Sequence, residues 1–416
     1  MKGTLMALVA LFCAALLAVP AFSQQGQPDQ DLTKNDLTKN DLTKNDLTKN
    51  LHNIKLGGHM PRRTVDKKLQ LGDGVQAAGA AAAGVAVGPS VPMFSNFFLD
   101  NTGTAWPFTM VGADPSIQGA GETDVPVVII PLRLNFASGD SIGPSDTACV
   151  DHDTVLNRVV NSPLFTNVTW IEGNTNVGVT QFTDGFQRAN FWNYVSTISP
   201  GYSVRLAPIQ VTPEAILNVP ANQGGVTTGG VCFGHPVGAV NIAFIDAAVQ
   251  TLIANLNIPP TAFTLVVTYD AVELLGNGGF FVGYHTAVTN PNVGTWTYAV
   301  GSYTDPTILG LAVNDISVLS HELGEWMDDP LGSNMVPQWG NVGQVQGCQN
   351  TLEVGDPLSG RNSIVFMADG TTYMVQDLAF LVWFARQNPS LAVNGWYTTR
   401  ATYAGPSKPC PPGGTN

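Results

Sequence analysis

The stretch "NDISVLSHELGEWMDDP", residues 314 to 330, brings an imidazole and several carboxylates into one short run. Read as a helix, it advances about 100° per residue, so His321 and Glu325 fall within roughly 40° of each other. An imidazole and a carboxylate one turn apart can grip a single ion. Glu322 points about 100° round from His321, where it can hold a water and take its proton. Zinc peptidases with the pattern H-E-x-x-H divide their labour this way, and here a glutamate replaces the second histidine. The predicted roles are therefore metal ligation by His321 and Glu325 and general-base chemistry by Glu322. A helix whose carboxylates are merely solvated is the competing reading. Against it stands the apolar sequence around the motif, where bunched carboxylates are costly unless water or a cation meets them.

A third ligand is needed. "CQNTLEVGDPLSG", residues 348 to 360, offers Glu353 and Asp356, with Asp329 as a nearer alternative. Glu353 ranks first and Asp356 second. Asp328 lies close to the His321 face. His285, in "FFVGYHTAV", follows a Gly-rich turn and reads either as a cleft residue or as a plain buried histidine. One His with two carboxylates cancels the charge of a divalent cation and makes its water less acidic than a three-His site does. An added donor such as Tyr284 or Tyr298 would then be needed at the oxyanion. Zn²⁺ is the first expectation, and the carboxylate-rich set also admits Mn²⁺ or Ca²⁺.

The helix that positions these groups should start at an Asn314 or Asp315 cap and end before Pro330. Ile316, Leu319, Leu323 and Met327 recur at three- and four-residue spacing and form its apolar stripe. Upstream, "DVPVVIIPLRLNF" (124 to 136) and "TAFTLVVTYD" (261 to 270) are near-continuous β-branched runs and predict buried strands. "TDGFQRANFWNYV" (183 to 195) and "AVNIAFIDAAVQTLIANLN" (239 to 257) have helical spacing, and "TYMVQDLAFLVWFARQ" (372 to 387) is a core helix or strand. Strands first and helices after suggest an α+β fold, with a zincin-like metal helix packed on a β-rich domain. Arg188 could bind a substrate carboxylate but reads better as a satisfied core arginine. Trp296, Trp339 and Trp396 could stack on sugars, though core roles are commoner for tryptophan.

Residues 1 to 23 read as a cleaved secretory signal, with one Lys ahead of an apolar run that stops at about Val19. "DLTKN" then repeats four times over residues 31 to 50. Four units are too few to close a solenoid core, so residues 24 to 90, with His52 and His59, are expected to be a disordered linker. The folded domain should span 91 to 410, with 411 to 416 as a tail. Cys149, Cys232, Cys348 and Cys410 suggest two disulfides with three possible pairings. Charged residues are only 12% of the chain and the net charge is −13, without a basic cluster. Nucleic acid and anionic membrane are therefore poor partners. The expected product is secreted, extracellular or periplasmic, with no stable membrane anchor after signal cleavage. It would act on a peptide or an extracellular polymer.

"ISVLSHELGEWMDDP", then "LEVGD", then "YMVQDLAFLVWF" resemble the Exordium-like (phosphate-induced) family of secreted proteins. That family carries an I-S-V-x-x-H-E-x-x-E block, an E-x-x-D block and a Q-containing apolar segment. "GYHTA" and "TWTYAVGSY" resemble two further stretches, so the likeness covers roughly residues 280 to 385. It implies that His321, Glu322, Glu325, Glu353 and Asp356 occupy the family's shared polar positions. It also implies an extracellular setting tied, in plants, to growth and cell-wall responses, without naming a reaction. A cysteine follows the E-x-x-D block in the plant pattern, whereas here Pro357 follows and Cys348 precedes. The resemblance therefore also supports a second expectation: a non-catalytic protein that binds cell-wall glycan or protein and keeps the ion for structure.

Overall fold

The β-branched run at 124 to 136 becomes the longest strand of the protein. In the computed structural model it spans Glu122–Phe136, and its central residues are fully buried. Both edges are used. Phe263–Tyr269 pairs with its middle in parallel. Ser203–Val211 pairs in parallel with its first half and Ala215–Val219 with its second. Short Ser141–Ile142 adds an antiparallel pair near its end. On the other side of Phe263–Tyr269 the sheet continues with parallel Gly294–Tyr303 and then antiparallel Gly283–Asn290. Strands buried on both faces need no alternation, which is why they read as continuous apolar runs.

The structure describes residue 86 and residues 88–410, apart from 150, 151, 231, 233, 277, 278, 308 and 311. The expected signal, the DLTKN linker with His52 and His59, and the tail at 411 to 416 lie outside the described residues. Among the described residues, no helix is long and apolar enough to cross a membrane. The chain is strand-rich and mixed, with 41% strand and 17% helix, which is compatible with the α+β expectation. The segregation of strands before helices does not hold. Parallel pairing needs crossovers, and helices Phe182–Asn190 and Ile242–Asn255 lie between strands of the sheet.

Helix Ile242–Asn255 begins as its sequence suggests. The Asn241 side chain accepts from the backbone N–H groups of Ala243 and Phe244 at 3.0 and 3.2 Å. Asn241→Ala should cost about 1 kcal/mol of unfolding free energy in a urea titration. The segment at 372 to 387 splits into strand Thr372–Gln376 and short helix Leu381–Phe384. The cysteines pair as Cys149–Cys232 and Cys348–Cys410.

Helix Ser317–Asp328 lies within the core, and all twelve of its residues are buried. It packs against Gly294–Tyr303 and Gly283–Asn290 on one side and Thr372–Gln376 and Phe182–Asn190 on others. Ile316, Leu319, Leu323 and Met327 form the expected stripe, each at 0% exposure. Trp326 stacks on Phe263 with ring centroids 3.8 Å apart.

The expected cap is not used. Asp315 sits at φ 57° just before the helix, and its carboxylate turns away to the Arg158 guanidinium and the Met374 N–H. Asn314 contributes through its backbone: its N–H donates to Ser317 Oγ and its carbonyl accepts from the Ser317 N–H, both at 3.2 Å. Arg158 also donates to the Thr372 carbonyl and lies over the Tyr373 ring at 4.0 Å. A tertiary ion pair thus took the group that local sequence would have spent on capping. It ties the start of the helix to strand Thr372–Gln376.

Candidate metal centre

Three elements converge on the polar side of helix Ser317–Asp328. The helix supplies His321, Glu322 and Glu325; strand Gly283–Asn290 supplies His285; the turn after Val345–Thr351 supplies Glu353 and Asp356. His321 Nε2 lies 3.1 Å from Glu325 Oε1 and 3.6 Å from Asp356 Oδ1. His285 Nδ1 lies 3.5 Å from Glu322 Oε2 and 3.5 Å from Glu325 Oε2. Within His321–Glu325–Asp356 and within His285–Glu322–Glu325, the donor atoms all fall within 4.8 Å of one another.

The tautomer of His321 follows from its neighbours. The Gln376 side-chain N–H donates to the Gly355 carbonyl at 2.6 Å. Gln376 Oε1 therefore faces His321 Nδ1 at 3.1 Å and can only accept, so Nδ1 is the donor. In the neutral ring, Nε2 then carries its lone pair toward Glu325 and Asp356. That arrangement repels unless a proton or a cation lies between. Orientation of one ring nitrogen by an amide is how metal-binding histidines are aligned.

Glu325 is fixed from both ends. Its Oε1 accepts the Gly355 and Asp356 N–H groups at 3.1 and 3.3 Å, which pins the 353–356 turn to the helix. Its Oε2 has no hydrogen-bond partner. Asp356 is positioned by Gln344 and Gln349, whose side-chain amides donate to its two oxygens at 2.5 and 3.2 Å. Two close approaches have no room for a side chain. A Cβ on Gly283 would stand 2.8 Å from Glu322 Oε1, and one on Gly355 would stand 2.5 Å from His321 Nδ1. Glycine at both positions lets the strand and the turn close onto the helix.

Burial and mutual charge shift these groups. Burial pushes Glu322 up to about 7 even though His285 pulls the other way. Burial, reinforced by Glu325, holds Glu353 well above the usual carboxylate range. Burial would also raise Glu325, but the His321 and His285 charges hold it below its usual value. Burial lowers both imidazoles in itself; Glu325 drives His321 well above its ordinary value, and Glu322 with Glu325 does so for His285.

Glu273 joins this field from strand Ala271–Leu274. Both its oxygens are buried without a partner, and burial with the Glu322 charge pushes its pKa well up. Burying the four stripe residues contributes about 1.5–3 kcal/mol each. Each ion taken out of water costs several kcal/mol unless paired. The stripe alone cannot offset a group of unpaired buried carboxylates, so neutralisation by protons or cations decides the balance.

The donor set fits a divalent cation. Ligands about 2.0–2.1 Å from a tetrahedral ion lie about 3.3–3.4 Å from one another. The His321 contacts of 3.1 and 3.6 Å bracket that spacing, and the two His285 contacts, both 3.5 Å, lie just above it. His321 Nε2, both Glu322 oxygens, Glu325 Oε2 and Glu353 Oε2 are buried with no hydrogen-bond partner. Natively folded proteins leave few such atoms, and a bound ion is one standard resolution.

Other expected residues lie elsewhere. Asp329 turns to the N–H groups of Ser333 and Asn334, closing the turn after the helix. Asp328 accepts from the side chains of Gln187 and Asn190, facing helix Phe182–Asn190. Tyr284 and Tyr298 both donate to Asp246 Oδ1, at 3.2 and 2.8 Å, and so are not oxyanion donors. Strand alternation explains this, because Tyr284 must point opposite to His285. Arg188 donates to the Val177 and Tyr202 carbonyls. Trp296 and Trp339 are buried, with indole N–H groups on the Ile258 and Thr351 carbonyls. Trp396 is partly buried against the core.

Glu273 and the supporting glutamines went unrecognised in the sequence. A lone Glu inside "DAVELLG" is the available signal for the first. No family model, no curated protein and no solved structure matches the chain.

Proposed function

We propose that the chain is a secreted, divalent-cation-dependent hydrolase acting on peptide bonds, with zincin-like use of an H-E-x-x-E helix and a place among Exordium-like proteins. One observation carries the reading: His321 Nε2, buried with no hydrogen-bond partner, lies at 3.1 and 3.6 Å from carboxylate oxygens of Glu325 and Asp356, which come from two separate segments. These three residues would hold the ion, and Gln376 would keep Nε2 of His321 available to it. The ion, when bound, supplies Lewis acidity that polarises a carbonyl and acidifies water. Glu322 takes the proton from the attacking water and returns it to the leaving amine. Burial raises its pKa and a neighbouring cation would lower it, and the two together suit a carboxylate that accepts a proton near neutral pH. His285, at 3.5 Å, orients that carboxylate and shares its charge. Zn²⁺ is the preferred occupant, with Mn²⁺ or Ca²⁺ compatible with the oxygen-rich set.

A second reading has its own support. Glu322 is 0% exposed and His321 3%, so an ion there would be sealed from a polymer substrate. A separate cavity of about 430 Å³, lined by Phe94, Phe97, Asn193, Tyr194 and Gln387 among others, shares no residue with the acidic cluster. On this reading the ion is structural and the cavity receives an extracellular glycan or protein segment. Glu322→Gln separates the two. A hydrolase should keep the ion on His321, Glu325 and Asp356 and lose at least about a hundredfold in peptide turnover, the range of general-base contributions. Metal present with no turnover in wild type, on broad peptide libraries, would leave the structural-ion reading. Full activity in the variant would remove Glu322 as the base.

A further inference from the structure

The two donor groups overlap at a single residue. Glu325 directs Oε1 to His321, which also approaches Asp356, and directs Oε2 to His285, which also approaches Glu322. Each oxygen of one carboxylate therefore belongs to a different imidazole and a different second carboxylate. We propose that the centre holds two divalent cations bridged by Glu325, one on His321 Nε2, Glu325 Oε1 and Asp356 Oδ1, the other on His285 Nδ1, Glu322 Oε2 and Glu325 Oε2. The inference rests on the cation reading above and extends it from one ion to a pair.

Three observations carry it. The first is the partition of the Glu325 oxygens just described. The second is charge. Glu322, Glu325, Glu353 and Asp356 are all buried around two imidazoles, at 5% exposure or less. Fully ionised these four bring four negative charges, with Glu273 a fifth nearby, so one divalent cation leaves at least two uncompensated. The third is the set of buried atoms with no hydrogen-bond partner, which falls in both halves. His321 Nε2 lies in the first half, Glu322 Oε2 in the second, and Glu325 Oε2 at the join. The Glu322 oxygens group with His285 and Glu325, not with His321 and Asp356.

Carboxylate-bridged pairs in hydrolases sit about 3.5–4 Å apart, the reach of one carboxylate with an ion on each oxygen. The mixed imidazole and carboxylate donors suit Zn²⁺ or Mn²⁺. Glu322 would ligate through Oε2 and keep Oε1 as the proton acceptor, so the proposed reaction retains its base. Glu353, whose Oε2 is also unpartnered, lies in the same field and balances the second charge.

The test is metal stoichiometry on the full secreted chain. Protein stripped with chelator, reloaded with Zn²⁺ and freed of excess metal should hold about two equivalents by mass spectrometry, the count of a bridged pair. Loaded with Mn²⁺, it should give the exchange-coupled spectrum of a spin pair in electron paramagnetic resonance. One equivalent, with an isolated-ion Mn²⁺ spectrum, overturns the pair and leaves the single-ion reading standing. No bound metal overturns both. Two equivalents with uncoupled spectra would refute bridging by Glu325. His285→Ala should drop the content to about one equivalent while His321 keeps its own ion, and retention of two would overturn the assignment of His285. Should that variant not fold, the wild-type Mn²⁺ spectrum decides alone.

Discussion

Glu325→Ala should release bound divalent cation and destabilise the metal-loaded protein by about 3–5 kcal/mol, the scale for deleting one partner of a buried ionic cluster. The carboxylate does three jobs at once. It touches His321 at 3.1 Å, touches His285 at 3.5 Å, and accepts the Gly355 and Asp356 N–H groups. Deletion leaves those two amides buried without an acceptor, at about 1–3 kcal/mol each. An opposing effect exists, since removing one charge relieves repulsion on Glu322 and Glu353. That relief matters most when no cation is present, so the loss should be smaller in chelated protein than in loaded protein. Glu325→Gln is the informative partner. It keeps an oxygen for the two amides, so it should retain most of the fold yet bind metal at least tenfold more weakly, as perturbed ligand sets do. Metal content and urea midpoints, with and without chelator, measure both effects. Wild-type metal content in Glu325→Ala would sink the assignment of this residue as a ligand.

Residue types and spacing make much of this cluster legible. His321, Glu322 and Glu325 announce themselves because helical geometry is local: their mutual angle depends on 3.6 residues per turn and on nothing distant. The buried strands at Glu122–Phe136 and Phe263–Tyr269 were legible for a similar reason, as continuous β-branched runs. What closes the centre is non-local. Register of the Gly283–Asn290 strand decides that His285 faces the helix and Tyr284 faces Asp246, and a slip of one residue would exchange them. Nothing in "FFVGYHTAV" fixes that register. Asp356 and Glu353 were both visible as ligand candidates, but their order depends on backbone hydrogen bonds to Glu325 that no local pattern encodes. Asp315 failed as a cap because a buried arginine from residue 158 claimed its carboxylate. In each case local chemistry named the groups and long-range pairing chose their partners.

Asp328 and Glu325 lie on the same helix within one turn, yet their environments differ. Glu325 faces two imidazoles. Asp328 faces the amides of Gln187 and Asn190, with no positive group among its influences, and only hydrogen bonds oppose its burial. This contrast separates Glu325, held low by two imidazoles, from Asp328, which burial pushes toward its protonated form.

The consequence for Asp328 is a pH dependence opposite in sign to that of an ordinary salt-bridged aspartate. Burial, with the nearby Asp329 charge, pushes its pKa from 3.8 up to about 8. Between those values the folded state holds a proton that the unfolded chain has lost. Stability from this group is therefore complete below about pH 4 and falls as pH rises toward 8. At about 1.4 kcal/mol per pKa unit, the full loss is on the order of 5 kcal/mol. Asp328→Asn should abolish that slope, because the amide mimics the protonated acid at every pH. The substitution also finds a ready partner. Gln187 Oε1 is buried without a hydrogen bond, and a flip of the Gln187 amide would present it to the new N–H₂ group. Urea midpoints at about pH 5, 7 and 9, in chelator, should fall with pH in wild type and much less in the variant, so that the two curves separate most at high pH. A slope should survive, since burial also raises Glu322 and Glu172 to about 7, Asp270 to about 6, and Glu353 and Glu273 well above the usual carboxylate range. Parallel curves across that range would show that Asp328 ionises in the folded protein with little penalty, and that water or an unassigned cation reaches this end of the helix.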